Sequence, residues 1–338
     1  GPDSTEGLWA EPLRLMGQRA AGPVPDWHEY QDDQAEAQGT AVRIQDLLQD
    51  GVPATGITQS EGAALLAKME SGPVTMKLVL TKTMEERQTF NVIAETDEGS
   101  SDDVVMVGAH LDSVHDGAGI NDNGSGTAAI LETAVQLKAV GGQHRNKVRF
   151  AFWGAEEDGL IGSTRYVESL DDQQRRALAL YLNFDMLGSP NGGFFVYDGD
   201  DSARDGAGPG PTGSAGIERV FTRFYDTFYR GRQIVDAPTD FDGRSDYGPF
   251  IEIGVPAGGV LTGAEGIKTP EQARLWGGTA GQPFDPHYHS PGDTVANVNR
   301  DIFGINVSAV AYGVATYALS TAGPDGVPGP AERQRRPR

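Results

Sequence analysis

The sequence predicts an α/β sandwich on a mostly parallel, buried sheet, preceded by a small N-terminal appendage. Strand-like and helical stretches alternate from Thr89 to Leu319. The later helical stretches carry apolar residues at i, i+3 and i+4, as Ile302, Ile305, Val310, Val314 and Tyr317 show. A composition of 38% hydrophobic and 22% charged residues, with 13 Phe, 10 Tyr and 4 Trp, is that of a packed domain. Alternation of this kind buries a parallel sheet between helices.

Residues 1–38 are rich in Gly, Pro and Gln and read as an irregular arm. In residues 39–85, Ile44, Leu47 and Leu48 have helical spacing, Ser60 is a candidate cap for a helix carrying Leu65, Leu66 and Met69, and Val74–Leu80 alternates like a strand. The main domain spans 86–322. Strands are expected at Phe90–Ala94, Val104–Ala109, Lys147–Trp153, Leu180–Phe184, Phe194–Tyr197 and Ala257–Leu261. Helices are expected at Ser125–Val140, Ser163–Leu170, Ala215–Arg230 and Ile302–Leu319. Residues 199–213 read as a long flexible loop, and the Pro- and Arg-rich tail 323–338 as disordered.

Charge narrows the function. With 48 acidic and 27 basic residues the net charge is −21, a field that repels phosphates and anionic headgroups, so no nucleic acid is expected as a partner. There is no Cys, which removes disulfides, thiolate metal sites and thiol nucleophiles. No apolar run is expected to span a membrane. The chain opens Gly1-Pro2-Asp3 without a basic or apolar leader, which reads as a leader removed or a trimmed chain.

Enzymes on open parallel sheets work at the carboxyl ends of the strands. Those ends are rich here: His110-Leu111-Asp112-Ser113, then Asn121-Asp122-Asn123-Gly124-Ser125-Gly126, Gly154-Ala155-Glu156-Glu157, Asp185-Met186, and the later loop His287-Tyr288-His289-Ser290. Each has an ordinary explanation alone. A strand-end His can be structural, an Asp before Asn-Gly forms turns, and paired Glu suit a helix start. Asp185, after an apolar strand, is harder to dismiss, because an unpaired buried carboxylate is costly. Imidazoles and carboxylates converging without Cys suit zinc, or a similar divalent ion, in a catalytic site.

In order and spacing these motifs, with Gly243-Arg244-Ser245-Asp246 and Trp276–Gln282, resemble the double-zinc aminopeptidases of metallopeptidase family 28, most closely the secreted bacterial leucine-type enzymes. The resemblance covers about Thr89–Leu319. It implies a three-layer sandwich with a mostly parallel mixed sheet, the zinc-dependent exopeptidase fold. It implies two zinc ions: His110 and Asp185 on one, Glu157 and His289 on the other, Asp122 bridging. Glu156 would be the general base, Asp112 would accept the other ring N–H of His110, and Tyr288 would donate to the oxyanion. Arg244, Met186 and Leu261 would border the substrate, a peptide with a free N-terminus. A cis peptide bond at Asp122–Asn123, a monomer, and secretion or attachment to the cell envelope are also implied. Residues 39–85 resemble part of a protease-associated domain.

Two departures stand out. Relatives often carry Cys on either side of Tyr-His-Ser, where this chain has His287 and Gly292, and Leu261 stands where an aromatic residue commonly lines the pocket. Of the remaining imidazoles, His115 fits no ligand position, His28 and His144 read as surface residues, and His287 as a loop residue. Two other readings of the same fold are an inactive receptor-like relative that binds a protein partner and a single-zinc aminoacyl cyclase. Loss of ligands would mark the first, and none of the five ligands nor Glu156 is missing.

Overall fold

The structure, a computed structural model, describes residues 88–141, 144–204, 206, 208–230 and 236–333, together with 64 and 67–68. The chain divides into Gly1–Arg87 and Gln88–Arg338. The expected arm, and the helix and strand expected within 39–85, lie outside the described residues but for three exposed helical positions, Ala64, Ala67 and Lys68.

Seven strands build one sheet: β1 (Val92–Glu95), β2 (Ser100–His110), β3 (Asn146–Trp153), β4 (Leu178–Phe184), β5 (Phe195–Tyr197), β6 (Ala237–Thr239) and β7 (Ala257–Leu261). Their order is β1-β3-β2-β4-β7-β5-β6. β3, β2, β4 and β7 run parallel, whereas β1 is antiparallel to β3 and β5 to β7. The sheet is therefore mixed with a parallel centre. Alternate side chains of β2 serve two cores. Val105 and Val107 pack with Ile130, Val220, Phe221, Val310 and Val314 from helices α1 (Gly126–Val140), α4 (Ser214–Phe228) and α7 (Arg300–Leu319). Val104 and Met106 pack with Val167, Tyr247 and Phe250, the first from α2 (Ile161–Ser169). Helices on both faces make three layers.

The strongly patterned elements lie where expected, within about two residues, except that β2 begins four residues earlier, at Ser100 rather than Val104. Those without a sequence signal are short or exposed. β6 has three residues with Pro238 in the middle. Helices α3 (Asp172–Ala177) and α6 (Pro270–Trp276) bury no side chain and depend on reciprocal caps, Asp171 with Gln174 and Thr269 with Gln272. Helix α7 is long and apolar enough by length and composition alone to cross a membrane, and 44% of that stretch is buried inside the domain. Its inner face belongs to the sheet: Asn306 is fully buried, accepts from Tyr225 Oη at 2.6 Å and donates to the Leu187 carbonyl at 3.2 Å.

The tail corrects the sequence reading over 323–333. Asp325 accepts from Arg219 Nε at 2.9 Å and pairs with Arg223, and its carbonyl accepts from Tyr317 Oη at 2.9 Å. Val327 joins the core. Arg333, 1% exposed, donates to the carbonyls of Asp102, Arg176 and Ala177 and pairs with Asp103. A composition that reads as disordered is held because Asp325 and the Arg333 guanidinium find polar partners in the folded domain and Val327 packs in its core. Within the expected loop, Asp198 accepts from the amides of Ser202 and Ala203, which ties its first turn.

Lys268, 1% exposed, donates to the carbonyls of Gly192 and Gly277 near the rings of Trp276 and Phe284. Burial pushes its ammonium from 10.5 down to about 8. Between those values the unfolded chain holds the proton and the folded chain sheds it, so stability rises with pH across that window. Denaturant unfolding of Lys268→Met should lack that rise; a parent-like slope from pH 8 to 10.5 would contradict it.

Candidate functional site

The parallel direction of β2, β3, β4 and β7 brings four carboxyl ends to one edge. His110 is the last residue of β2 and pairs with Trp153, the last of β3. The chain after Trp153 turns through Ala155 at φ 55° into Glu156 and Glu157. The chain after β4 passes Asp185 and turns at Met186, φ 53°. His289, at φ 51°, reaches the same place from its loop. Left-handed backbone at three non-glycine residues within or beside the cluster is the kind of local strain that collects at working sites. The turn Ile120–Ser125 carries Asp122, and the Asp122–Asn123 peptide is cis.

Six of the singled-out side chains, Asp122 among them, meet in one cluster. Asp122 Oδ1 lies 3.1 Å from His110 Nε2 and its Oδ2 3.2 Å from His289 Nε2. His110 Nε2 is also 3.3 Å from Asp185 Oδ1 and 3.9 Å from Glu156 Oε2, and His289 Nε2 is 3.0 Å from Glu157 Oε2. Ligand-type atoms of His110, Asp122 and Glu157 fall within 4.8 Å of one another, as do those of His110, Glu156 and Asp185. Arg244, Met186, Leu261 and Tyr288 line the open cleft above this cluster, with Tyr197, Thr239, Asp240 and Asp242. Arg244 donates to Tyr288 Oη at 3.1 Å and pairs with Glu265 at 2.5 Å, and the Tyr288 ring stacks on His289 at 3.7 Å.

Asp112 departs from its expected part. His110 Nδ1 is 3.1 Å from the Asp112 backbone carbonyl but 3.7 Å from its carboxylate. The carboxylate accepts instead from the amides of Glu156 and Glu157, at 3.0 and 3.2 Å. One residue thus addresses His110 through its carbonyl and orients both glutamates through its side chain. His115 is exposed and does not line the cleft, whereas His144 is half-buried against the Asn146 carbonyl rather than free on the surface.

Residues without an expected role complete the frame. Asp293 Oδ1 and Oδ2 accept from the amides of Asn121 and Asp122 at 2.7 and 3.0 Å. Asp285 accepts from Asn121 Nδ2 and from the amide of His287. These two buried carboxylates tie the loop of His289 to the turn of Asp122. His287 lies against Gly292, where an added Cβ would come within 2.4 Å of its Nδ1. The motif signal pointed at the loop, but only the fold shows what holds it.

The electrostatics are those of crowded acids. Burial raises Asp122, but hydrogen bonds from His110 and His289 outweigh it and hold the carboxyl at about 2. Burial lowers His289, yet Asp122 and Glu157 raise it to about 9. Burial pushes Glu156 well up, opposed by His110 and reinforced by Asp185, Asp246 and Glu157. Buried Asp246 rises to about 7, through burial first and then Asp185 and Asp112, against the pull of His110. Protons partly neutralise this excess of negative charge, a part that divalent cations can take over. Glu157 Oε1 and Asp185 Oδ1 are buried oxygens without a hydrogen bond. Two imidazoles, clustered carboxylates and no thiolate fit zinc with open positions.

Residues 91–314 match the model of peptidase family M28. The chain is 54% identical over 288 residues to a probable lipoprotein aminopeptidase LpqL of Mycobacterium tuberculosis, covering 84% of this chain and 56% of that protein. It is 50% identical over 272 residues to leucine aminopeptidase 2 of Trichophyton equinum, covering 80% and 53%. It thus spans about half the length of the curated relatives it matches. Among solved structures it resembles an aminopeptidase from Aneurinibacillus sp. strain AM-1 (27% identity, TM-score 0.56, 80% of this chain and 58% of that one). It also resembles a zinc aminopeptidase from Bacillus subtilis (26%, 0.54, 70% and 52%). The sheet order, the clustered His and carboxylate side chains and these likenesses agree: the chain belongs to peptidase family M28.

Proposed function

We propose that the chain is a metallo-aminopeptidase that removes the N-terminal residue, apolar and leucine-like, from peptides with a free N-terminus. The observation that carries the reading is the division of Asp122, one oxygen beside His110 and the other beside His289. In this reading His110 and Asp185 hold one zinc, Glu157 and His289 a second, and Asp122 is shared. Two such ions supply Lewis acidity toward the scissile carbonyl and make a water acidic enough to be deprotonated near neutral pH. Glu156, whose carboxyl burial pushes well above its ordinary range, would take that proton and pass it to the leaving amine. Arg244 donates to the Tyr288 oxygen, which leaves the phenol proton for the carbonyl oxygen of the substrate. Glu156 and Asp185 meet the free ammonium, and Met186 and Leu261 wall its side chain. The protein acts as a monomer, in the medium or at the cell envelope.

The test pairs metal content per chain, measured by atomic emission, with a scan of aminoacyl-nitroanilides. Two zincs and a maximum at leucine-like residues are expected. One zinc with cyclisation of glutaminyl peptides, or two zincs with no turnover, would overturn the reading.

A further inference from the structure

We propose that a one-way hydrogen-bond relay, starting at Trp153 inside the sheet, fixes how Asp185 presents itself to the metal. This rests on the reading of Asp185 as a ligand. Trp153 Nε1 lies 2.9 Å from Tyr181 Oη, and Tyr181 Oη 3.0 Å from Asn183 Oδ1. Asn183 Nδ2 lies 2.9 Å from Ser245 Oγ, and Ser245 Oγ 2.7 Å from Asp185 Oδ2. Trp153, Tyr181, Asn183 and Ser245 are all buried.

The chemistry of the end groups sets the direction. An indole N–H can only donate, so the Tyr181 oxygen accepts and its own proton goes to the Asn183 carbonyl. The Asn183 amide nitrogen then faces Ser245, whose proton is left for Asp185. An ionised carboxylate can only accept, so both ends demand the same direction. Bonds aligned in this way polarise one another in a low-dielectric interior.

The sheet is shaped for the relay. Gly108 lies on β2 between Trp153 on β3 and Tyr181 on β4. A Cβ there would fall 2.1 Å from Tyr181 Oη and 2.5 Å from Trp153 Nε1. Only glycine lets the two side chains join across the strand. At the other end, Asp185 Oδ2 is occupied by Ser245, while Oδ1 has no hydrogen bond and lies 3.3 Å from His110 Nε2. The relay therefore commits Asp185 to bind through Oδ1 alone and holds that oxygen toward His110. Tyr181 and Trp153 are positioning residues that never touch substrate.

The test uses Tyr181→Phe, which removes the hydroxyl that passes the direction on and keeps the ring stacked on Phe250. Zinc affinity of the metal-free protein is measured by chelator competition, with the visible spectrum of the cobalt form as a second readout. Tyr181→Phe should weaken the binding of one ion about 10-fold or more, the scale typical of groups that orient ligands, and shift the cobalt bands. In a Ser245→Ala background the same change should have no further effect, because the relay is already cut. Parent-like affinity and spectrum in Tyr181→Phe, or an equal loss with and without Ser245, would overturn the relay. Asp185→Asn separates the two readings: if it keeps both ions at parent affinity, the ligand assignment fails, and the relay with it.

Discussion

Glu156→Gln is expected to lower kcat by roughly 10²–10⁴-fold while leaving bound metal, fold and most substrate affinity in place, the range for losing a general acid–base group. The amide keeps the shape of the side chain and the amide contact to Asp112 Oδ1, which comes from the Glu156 backbone. The ability to take and return a proton is lost, and with it one of the two negative charges facing the substrate ammonium, Asp185 keeping the other. Glu157→Ala should behave differently and lose metal and activity together, because Glu157 Oε2 sits 3.0 Å from His289 Nε2. Metal content and steady-state kinetics on a leucyl nitroanilide separate the two. A Glu156→Gln protein with parent metal content and parent turnover would end the proposed role.

Asp122→Ala is expected to abolish metal binding at both positions and reduce turnover to background. Two adjacent dications need an anion between them, and Asp122 offers one oxygen to each half of the cluster. The variant should still fold, because Asp293 grips the backbone amides of Asn121 and Asp122, not the lost side chain. Emission spectroscopy on dialysed protein, alongside circular dichroism, checks this. Two zincs retained with full activity would show the assignment to be wrong.

Much of this was legible in the sequence because polar residues interrupt apolar runs at strand ends. His110 after Val104–Ala109 and Asp185 after Leu180–Phe184 stand out on that ground, and a parallel sheet carries such breaks to one edge. What was not legible depends on contacts between distant segments. Asp246 and Ser245 sit in a quoted motif, yet their roles appear only when the loop folds beneath Asp185. Tyr181 and Trp153 read as core aromatics, and nothing local says that Gly108 lets them meet. The tail read as disordered because its partners, Asp102, Asp103 and Ala177, are over 150 residues away. Helices α3 and α6 escaped because an element that buries nothing leaves no periodic trace.

The clasp of Asp285 and Asp293 bears on how the site assembles. A loop pinned by a disulfide reaches its final shape only after an oxidation step, and an electron donor can undo it. Here the loop of His289 is held by carboxylates that accept from backbone amides, bonds that form as the chain collapses. The site can therefore mature without an oxidant or a disulfide isomerase, and its geometry is indifferent to thiols in the surroundings.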